Sequence, residues 1–216
     1  AVFSRPVGYK KPGTAYRSQA RIQGLNDNKQ KELLAKWLAS QERAVAVWEG
    51  LRKSPGLRDA CRVPLILSLL AFNLRTTDTN EYQKVPPANK RALLSDSIET
   101  LLIRGHNEAE DQGVRDPEVA REILGYLCLA LQDVEGEGRW WIAELKRHTL
   151  ALKKTKGSGV AEAWEAGTWA NTKEFFDDVG RNSGVLAPHD GADAPWSFLH
   201  RQFRELMAAE ALRKPG

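Results

Sequence analysis

Apolar residues recur at helical spacing in block after block of this chain, and each block ends at proline or glycine. From Asn28, residues Leu33, Leu34, Trp37 and Leu38 repeat with a helical period, and 42–52 continues the pattern with Val45, Val47, Trp48 and Leu51. Ser54-Pro55-Gly56 breaks the second block. Pro64 then suits the first turn of a third, where the missing N–H of proline costs nothing. The polar stretch 76–87 closes on Pro86-Pro87 and reads as a loop. After it, Leu93, Leu94, Ile98, Leu101 and Leu102 line one face of a long helix reaching Arg104. Four helices forming one small helical domain are expected over 25–106.

A second polar gap, 106–116, ends at Asp116-Pro117-Glu118, a helix start with aspartate as cap and proline at the first helical position. The domain boundary belongs here. Val119, Ile123, Leu124, Leu127 and Leu131 mark the helix, which stops at Glu135-Gly136-Glu137-Gly138. Residues 140–152 read as another helix, and 155–168 as a Gly- and Ala-rich loop with a short helix around 161–166. A further helix over 172–182 turns Phe175, Phe176 and Val179 inward and ends at Ser183-Gly184. The apolar runs 185–187 and 196–198 flank His189-Asp190-Gly191-Ala192-Asp193 as a β-hairpin with an Asp-Gly turn. The closing helix carries the stripe Leu199, Phe203, Leu206 and Met207, with Arg201 and Glu205 four apart on its outer surface. Helix, helix, helix, hairpin, helix is the order of a winged-helix domain, here over 115–214. The expected fold class is mainly α: a four-helix small helical domain, then a winged-helix domain with a short hairpin and a C-terminal helix.

Composition narrows the chemistry. The longest apolar run, 63–72, contains Pro64 and Ser68 and falls far short of the ~20 residues of a membrane span, and the N-terminus has no signal-like pattern. Cys61 and Cys128 are the two cysteines, and their apolar surroundings predict buried thiols in a cytoplasmic protein. His106, His148, His189 and His200 show no metal-ligand spacing, so no metal site is expected. A net charge of +4 permits contact with polyanions without the basic signature of a nucleic-acid binder. Lys10-Lys11 and Lys153-Lys154-Thr155-Lys156 read as solvated faces.

Three segments carry more than composition. His200 stands where Trp196-Ser197-Phe198-Leu199 turns into the last helix, and the free N–H groups of a helix start can join an imidazole in holding an anion. The plainer reading is a histidine that caps or packs locally. The chain opens with Ala1-Val2-Phe3-Ser4-Arg5-Pro6, and its middle holds Arg62-Val63-Pro64-Leu65-Ile66-Leu67. In this order and at these distances the segments resemble the C-terminal half of a NACHT-type signal-transduction NTPase of the STAND class. That family has a Ser-Arg-Pro-like sensor at a strand end, a Pro-Leu-x-Leu helix, and a closing Phe-x-His-x-x-Phe-x-Glu-[aromatic]-x-Ala. The chain departs from the pattern at Phe3, where the family has threonine, and at Leu206, where it has an aromatic residue.

The resemblance implies that 1–24 is the end of the NTPase core, with Arg5 sensing the terminal phosphate. Pro64 would pack against adenine, and His200 would donate to the β-phosphate of ADP. ATP/ADP is the implied cofactor, with Mg²⁺ held by an upstream domain. The implied partners are that upstream NTPase core, a downstream sensor region of the same polypeptide, and further copies of the protein on activation. A role in defence or signalling follows from the family alone. No Gly-x-x-x-x-Gly-Lys-[Ser/Thr] loop occurs, so this chain by itself is not expected to hydrolyse ATP. Its start at Ala1, inside what reads as a buried strand, leads us to expect a fragment of a longer protein. Two rival readings remain: a winged-helix DNA-binding regulator, and a helical scaffold anchored by some of the seven tryptophans. Against the first, Glu174, Asp177 and Asp178 would face phosphates from the candidate recognition helix.

Overall fold

The structure is a computed structural model that describes residues 24–75, 86–104, 113–131, 139–140, 147, 151, 161, 164–165, 169–188, 196–198 and 200–213. Within them the chain is mainly helical, with eight bounded helices and one three-stranded antiparallel sheet. Helix α1 (Asp27–Leu38) starts where Asn26 Oδ1 accepts the Lys29 N–H at 3.0 Å. It stops at Ala39, which lies in the left-handed region at φ 49°. Ser40 then caps α2 (Gln41–Arg52) by accepting the Arg43 N–H at 3.2 Å, and α2 packs on α1.

Leu34, Leu38, Val47, Trp48 and Leu51 are buried as their spacing predicts, whereas Trp37 and Val45 are 41% and 53% exposed. The reason is angular. At 100° per residue Trp37 stands about 60° off Leu34, and Val45 about 100° off Ala44, beyond the width of the buried stripe. Where only a break was expected, Pro55 begins a six-residue helix, α3 (Pro55–Ala60). The small helical unit therefore has five helices rather than four.

Helix α4 (Pro64–Arg75) begins at Pro64 and buries Ile66, Leu67, Leu69, Leu70, Ala71 and Leu74. Such breadth of burial places it at the centre of this half, packed on α1 and on α5 (Lys90–Arg104). Leu93, Leu94, Ile98, Leu101 and Leu102 of α5 are all buried. They have to serve two sides, because α5 packs on α3 and α4 and also on three later helices.

The chain returns to the C-terminal end of α5 at Gly113 and Val114. A Cβ on Gly113 would lie 1.9 Å from the Ile103 carbonyl oxygen, and the Val114 N–H donates to the Leu102 carbonyl at 2.8 Å. Two residues on, Asp116 caps α6 (Pro117–Ala130), its Oδ1 accepting the Val119 N–H at 3.2 Å. The later elements are β1 (Arg139–Trp140), α7 (Thr172–Ser183), β2 (Leu186–Pro188), β3 (Trp196–Phe198) and α8 (Arg201–Ala211). Gly184, at φ 66°, ends α7 where glycine alone is unstrained.

The sheet order is β1-β3-β2. Leu186 pairs with Phe198 and Pro188 with Trp196 across the expected hairpin, and Trp140 pairs with Trp196 on the other edge of β3. Trp140 was expected to open a helix. It lies in a strand instead, and helical conformation is found further on, at Arg147 and Ala151. A two-residue strand has no period to detect; β3 recruits it through its second edge. The Asp-Gly turn at 189–193 and Leu199 lie outside the described residues. One apolar cluster runs from Leu34 to Met207 through both halves of the chain, with α5 between them.

Candidate functional site

Of the three expected site residues, Arg5 lies outside the described residues. Pro64 is the first residue of α4 and is exposed, beside Val63 at 49% exposure. The chain entering α1 is tied close by: the Leu25 N–H donates to the Arg62 carbonyl at 2.7 Å, and Gln30 Nε2 donates to the Leu25 carbonyl at 3.1 Å. Leu25 therefore lies against Arg62, two residues before Pro64 in the chain and at the same end of α4.

His200 caps α8 from an extended backbone, its Nδ1 accepting the Gln202 N–H at 3.2 Å. Its ring meets Phe203 edge-on, with centroids 6.4 Å apart. The plainer sequence reading, a local cap, is thus part of what this residue does. The bond also orients the ring. A neutral imidazole that accepts at Nδ1 carries its proton on Nε2, which makes Nε2 a hydrogen-bond donor. Phe203 and Met207 are buried behind it, at 0% and 1% exposure, while Arg201 and Glu205 form the expected outer pair at 2.6 Å. Pro64 and His200 stand at the starts of two different helices, each packed on α5.

An open depression of about 490 Å³ lies elsewhere, over the first turns of α7, lined by Arg115, Asn171, Lys173, Glu174, Asp177 and Arg181 among others. Its lining holds cations and carboxylates in equal number, three of each with the buried Asp178 included. Most of these groups are already engaged. Arg115 pairs with Glu174 Oε1, the Ala170 N–H donates to Glu174 Oε2 at 2.9 Å, and Lys173 reaches Asp177 at 2.8 Å. The Arg115 guanidinium, then the Ala170 N–H, hold the Glu174 carboxyl below its usual range, and Glu174 in turn raises Arg115.

Asp178, expected to face outward with Glu174 and Asp177 and so to count against the recognition-helix reading, faces inward. It is 7% exposed and accepts from Trp169 Nε1 at 2.7 Å, the Arg115 N–H at 3.2 Å and Asn182 Nδ2 at 2.5 Å. Helical spacing makes Phe175 and Phe176 legible as core, but Arg115 and Trp169 lie outside α7, and no local pattern links them to Asp178. Among the described residues no group of three His, Cys, Asp or Glu could hold a metal ion. No described helix is long and apolar enough to cross a membrane. Burial pushes the Cys61 thiol up to about 12 and raises Cys128 further, so both are inert as nucleophiles near neutral pH. No protein-family model and no curated protein matches the chain.

Proposed function

We propose that this chain is the nucleotide-dependent regulatory segment of a NACHT-type STAND NTPase, an ADP/ATP switch in a cytoplasmic defence or signalling protein. In this reading 25–106 is the small helical domain and 115–214 the winged-helix domain, with residues 1–24 the end of the NTPase core. The supporting observation is His200, held at the junction after β3 with Nδ1 tied to the backbone. That bond leaves Nε2 as the donor, the chemistry a phosphate oxygen requires. Pro64 offers an exposed ring at a helix start, a flat apolar face suited to a nucleobase. These two residues fit ADP by their chemistry; Arg5, the phosphate loop and the Mg²⁺ ligands would complete the site from upstream. Bound nucleotide supplies the glue between domains. The helical arrangement, with the strands β2 and β3 between α7 and α8 in the chain and β1 (Arg139–Trp140) completing their sheet, supports the winged-helix reading.

The rivals draw less support. A DNA-binding regulator needs a basic recognition helix, and α7 sets the partly exposed Glu174 and Asp177 against Lys173 and Arg181. A scaffold needs exposed anchors, and of the tryptophans with described side chains Trp48, Trp164, Trp169 and Trp196 are buried, leaving Trp37; the anchors the sequence favoured, Trp140-Trp141, lie outside the described side chains. The deciding experiment uses the longer parent protein with its phosphate loop. Thermal melts with and without ADP are compared for wild type and His200→Asn, which retains a cap acceptor but removes Nε2. The ADP-induced rise in melting temperature should shrink by the equivalent of about 1.5–3 kcal/mol, the range for a charge-assisted hydrogen bond. A variant that keeps the full rise would remove His200 from the nucleotide site.

A further inference from the structure

Among the described residues one buried side-chain N–H lacks an acceptor, and it belongs to Arg204 Nε on α8. Amide oxygens are left short more often, as Gln30 Oε1 and Gln202 Oε1 are here, whereas a sealed donor on a charged group costs more and calls for a cause. The other partly buried arginine of the α6–α8 pair shows what Arg204 lacks. Arg121 of α6 gives Nη2 to Ser95 Oγ at 2.6 Å and forks onto Glu210 of α8, with Nε at 3.3 Å and Nη2 at 2.9 Å from Oε2. Arg204 forms no hydrogen bond or ion pair among the described residues, and the carboxylate next to it, Glu205, is taken by Arg201.

The packing of α6 on α8 places this guanidinium. Arg121 meets Glu210, and Gly125 lies against Met207 and Ala211. Burial raises the Cys128 thiol and the Arg204 charge lowers it, so Arg204 stands by the last turn of α6 and the two helices run antiparallel. His200 is four residues earlier, about 6 Å along α8 and about 40° around it, and helical side chains tilt toward the N-terminus over the preceding turn. Arg204 and His200 therefore share one end of the α6–α8 pair, and both are partly exposed. The backbone there offers less than a helix start in general. The Gln202 N–H goes to His200 Nδ1 and the Phe203 N–H to the His200 carbonyl at 3.0 Å, so side chains must do more of the holding of an anion. His200, accepting at Nδ1, is neutral and brings no charge to set against a phosphate; Arg204 does. With Nε sealed, the Nη groups are the part of the fork that a ligand reaches.

We propose that Arg204 supplies the cation of a phosphate site at the head of α8, its Nη groups binding a phosphate group beside the His200 imidazole. The ligand class, a nucleoside diphosphate, rests on the nucleotide reading; the charge that meets its phosphate comes from this chain. The position is one that the family pattern leaves open, between the Phe and the Glu of Phe-x-His-x-x-Phe-x-Glu, so the arginine is particular to this sequence.

Inorganic pyrophosphate titrated into the 216-residue chain at fixed ionic strength tests the site, read by nitrogen–proton NMR of the arginine Nε–H groups. The sealed Nε–H of Arg204 is shielded from exchange with water and serves as the reporter. It should shift along a saturating curve. Arg204→Met should weaken pyrophosphate binding about tenfold, the low end for a charge-assisted hydrogen bond, and Arg204→Lys should fall between Met and wild type. Because Arg204→Met breaks no hydrogen bond in the free chain, its urea midpoint should equal or exceed that of wild type, which separates a binding arginine from a structural one. An unmoved Arg204 Nε–H, or pyrophosphate binding by Arg204→Met as tight as by wild type, overturns the site. ADP melts of the longer parent protein distinguish its failure from that of the nucleotide reading. An ADP-induced rise that shrinks in His200→Asn and stays full in Arg204→Met keeps the reading and removes Arg204, whereas pyrophosphate binding through Arg204 with no ADP response in wild type keeps the site and removes the nucleotide.

Discussion

At Gly180 a single hydrogen atom decides whether the sheet can lie on α7. A Cβ there would sit 1.9 Å from the ring of Trp196, and Trp196 is the β3 residue that pairs with both Trp140 and Pro188. Gly180→Ala should therefore cost about 1–3 kcal/mol in urea unfolding, as overpacking against a rigid ring does. Ala39 presents the opposite case. It holds φ 49° with a Cβ that disfavours that region, so Ala39→Gly should raise stability by up to about 1 kcal/mol, read as a higher urea midpoint at unchanged slope. His200 joins structure to function in one ring. His200→Ala loses the cap and should lower stability by about 1 kcal/mol, whereas His200→Asn should recover most of it. Urea unfolding of this chain distinguishes the two variants without any nucleotide.

Elements differ in how local their causes are. Helix α6 was legible down to its first residue because Asp116 and Pro117 are local signals, and Asp116→Ala should cost about 1 kcal/mol by the same measurement. Helix α7 was legible from Phe175, Phe176 and Val179, but its first turn is held from elsewhere by Arg115. That pair makes a prediction about pH. The Glu174 carboxyl lies below its usual range, so its contribution is fully present above an unfolded value of about 4.3 and is lost as pH falls through the folded value. Glu174→Gln should lower the melting temperature at about pH 6, with the gap to wild type closing towards about pH 3. A gap that widened in acid would show that the pair has the opposite sign. Strand β1 had no local cause, since two residues become a strand only when β3 presents an edge.

For the molecule as a whole, the absent phosphate loop sets the activity expected of the isolated chain. Purified protein should release no phosphate from ATP above background in a colorimetric assay. Turnover that persisted through further purification and disappeared on a point change in this chain would contradict it. Duplex DNA should bind weakly, lose affinity steeply with salt and show no sequence preference, because the charges around α7 are internally paired. The continuity of the core through α5 has a consequence for any switch built from this chain. Separating its halves would expose buried apolar residues of α5, among them Leu93, Leu94, Ile98, Leu101 and Leu102.

The order of amino acids by itself determined the mainly helical class, the starts of α4 and α6 at Pro64 and Asp116, the inward aromatics of α7 and the place of His200 at the head of α8. All of these follow from periods of 3.6 residues or from caps, which act within one turn of chain. Tertiary structure alone decided that Trp37 and Val45 face outward, that Trp140 is a strand residue, that Asp178 is an internal hydrogen-bond hub and that Arg121 meets Glu210 across 89 positions of sequence. Each depends on which surface another element presents, and no local pattern encodes that. The function proposed for Pro64 and His200 is what the resemblance of the chain's motifs to a known family implies, and the fold added the orientation in which the imidazole caps a helix through Nδ1.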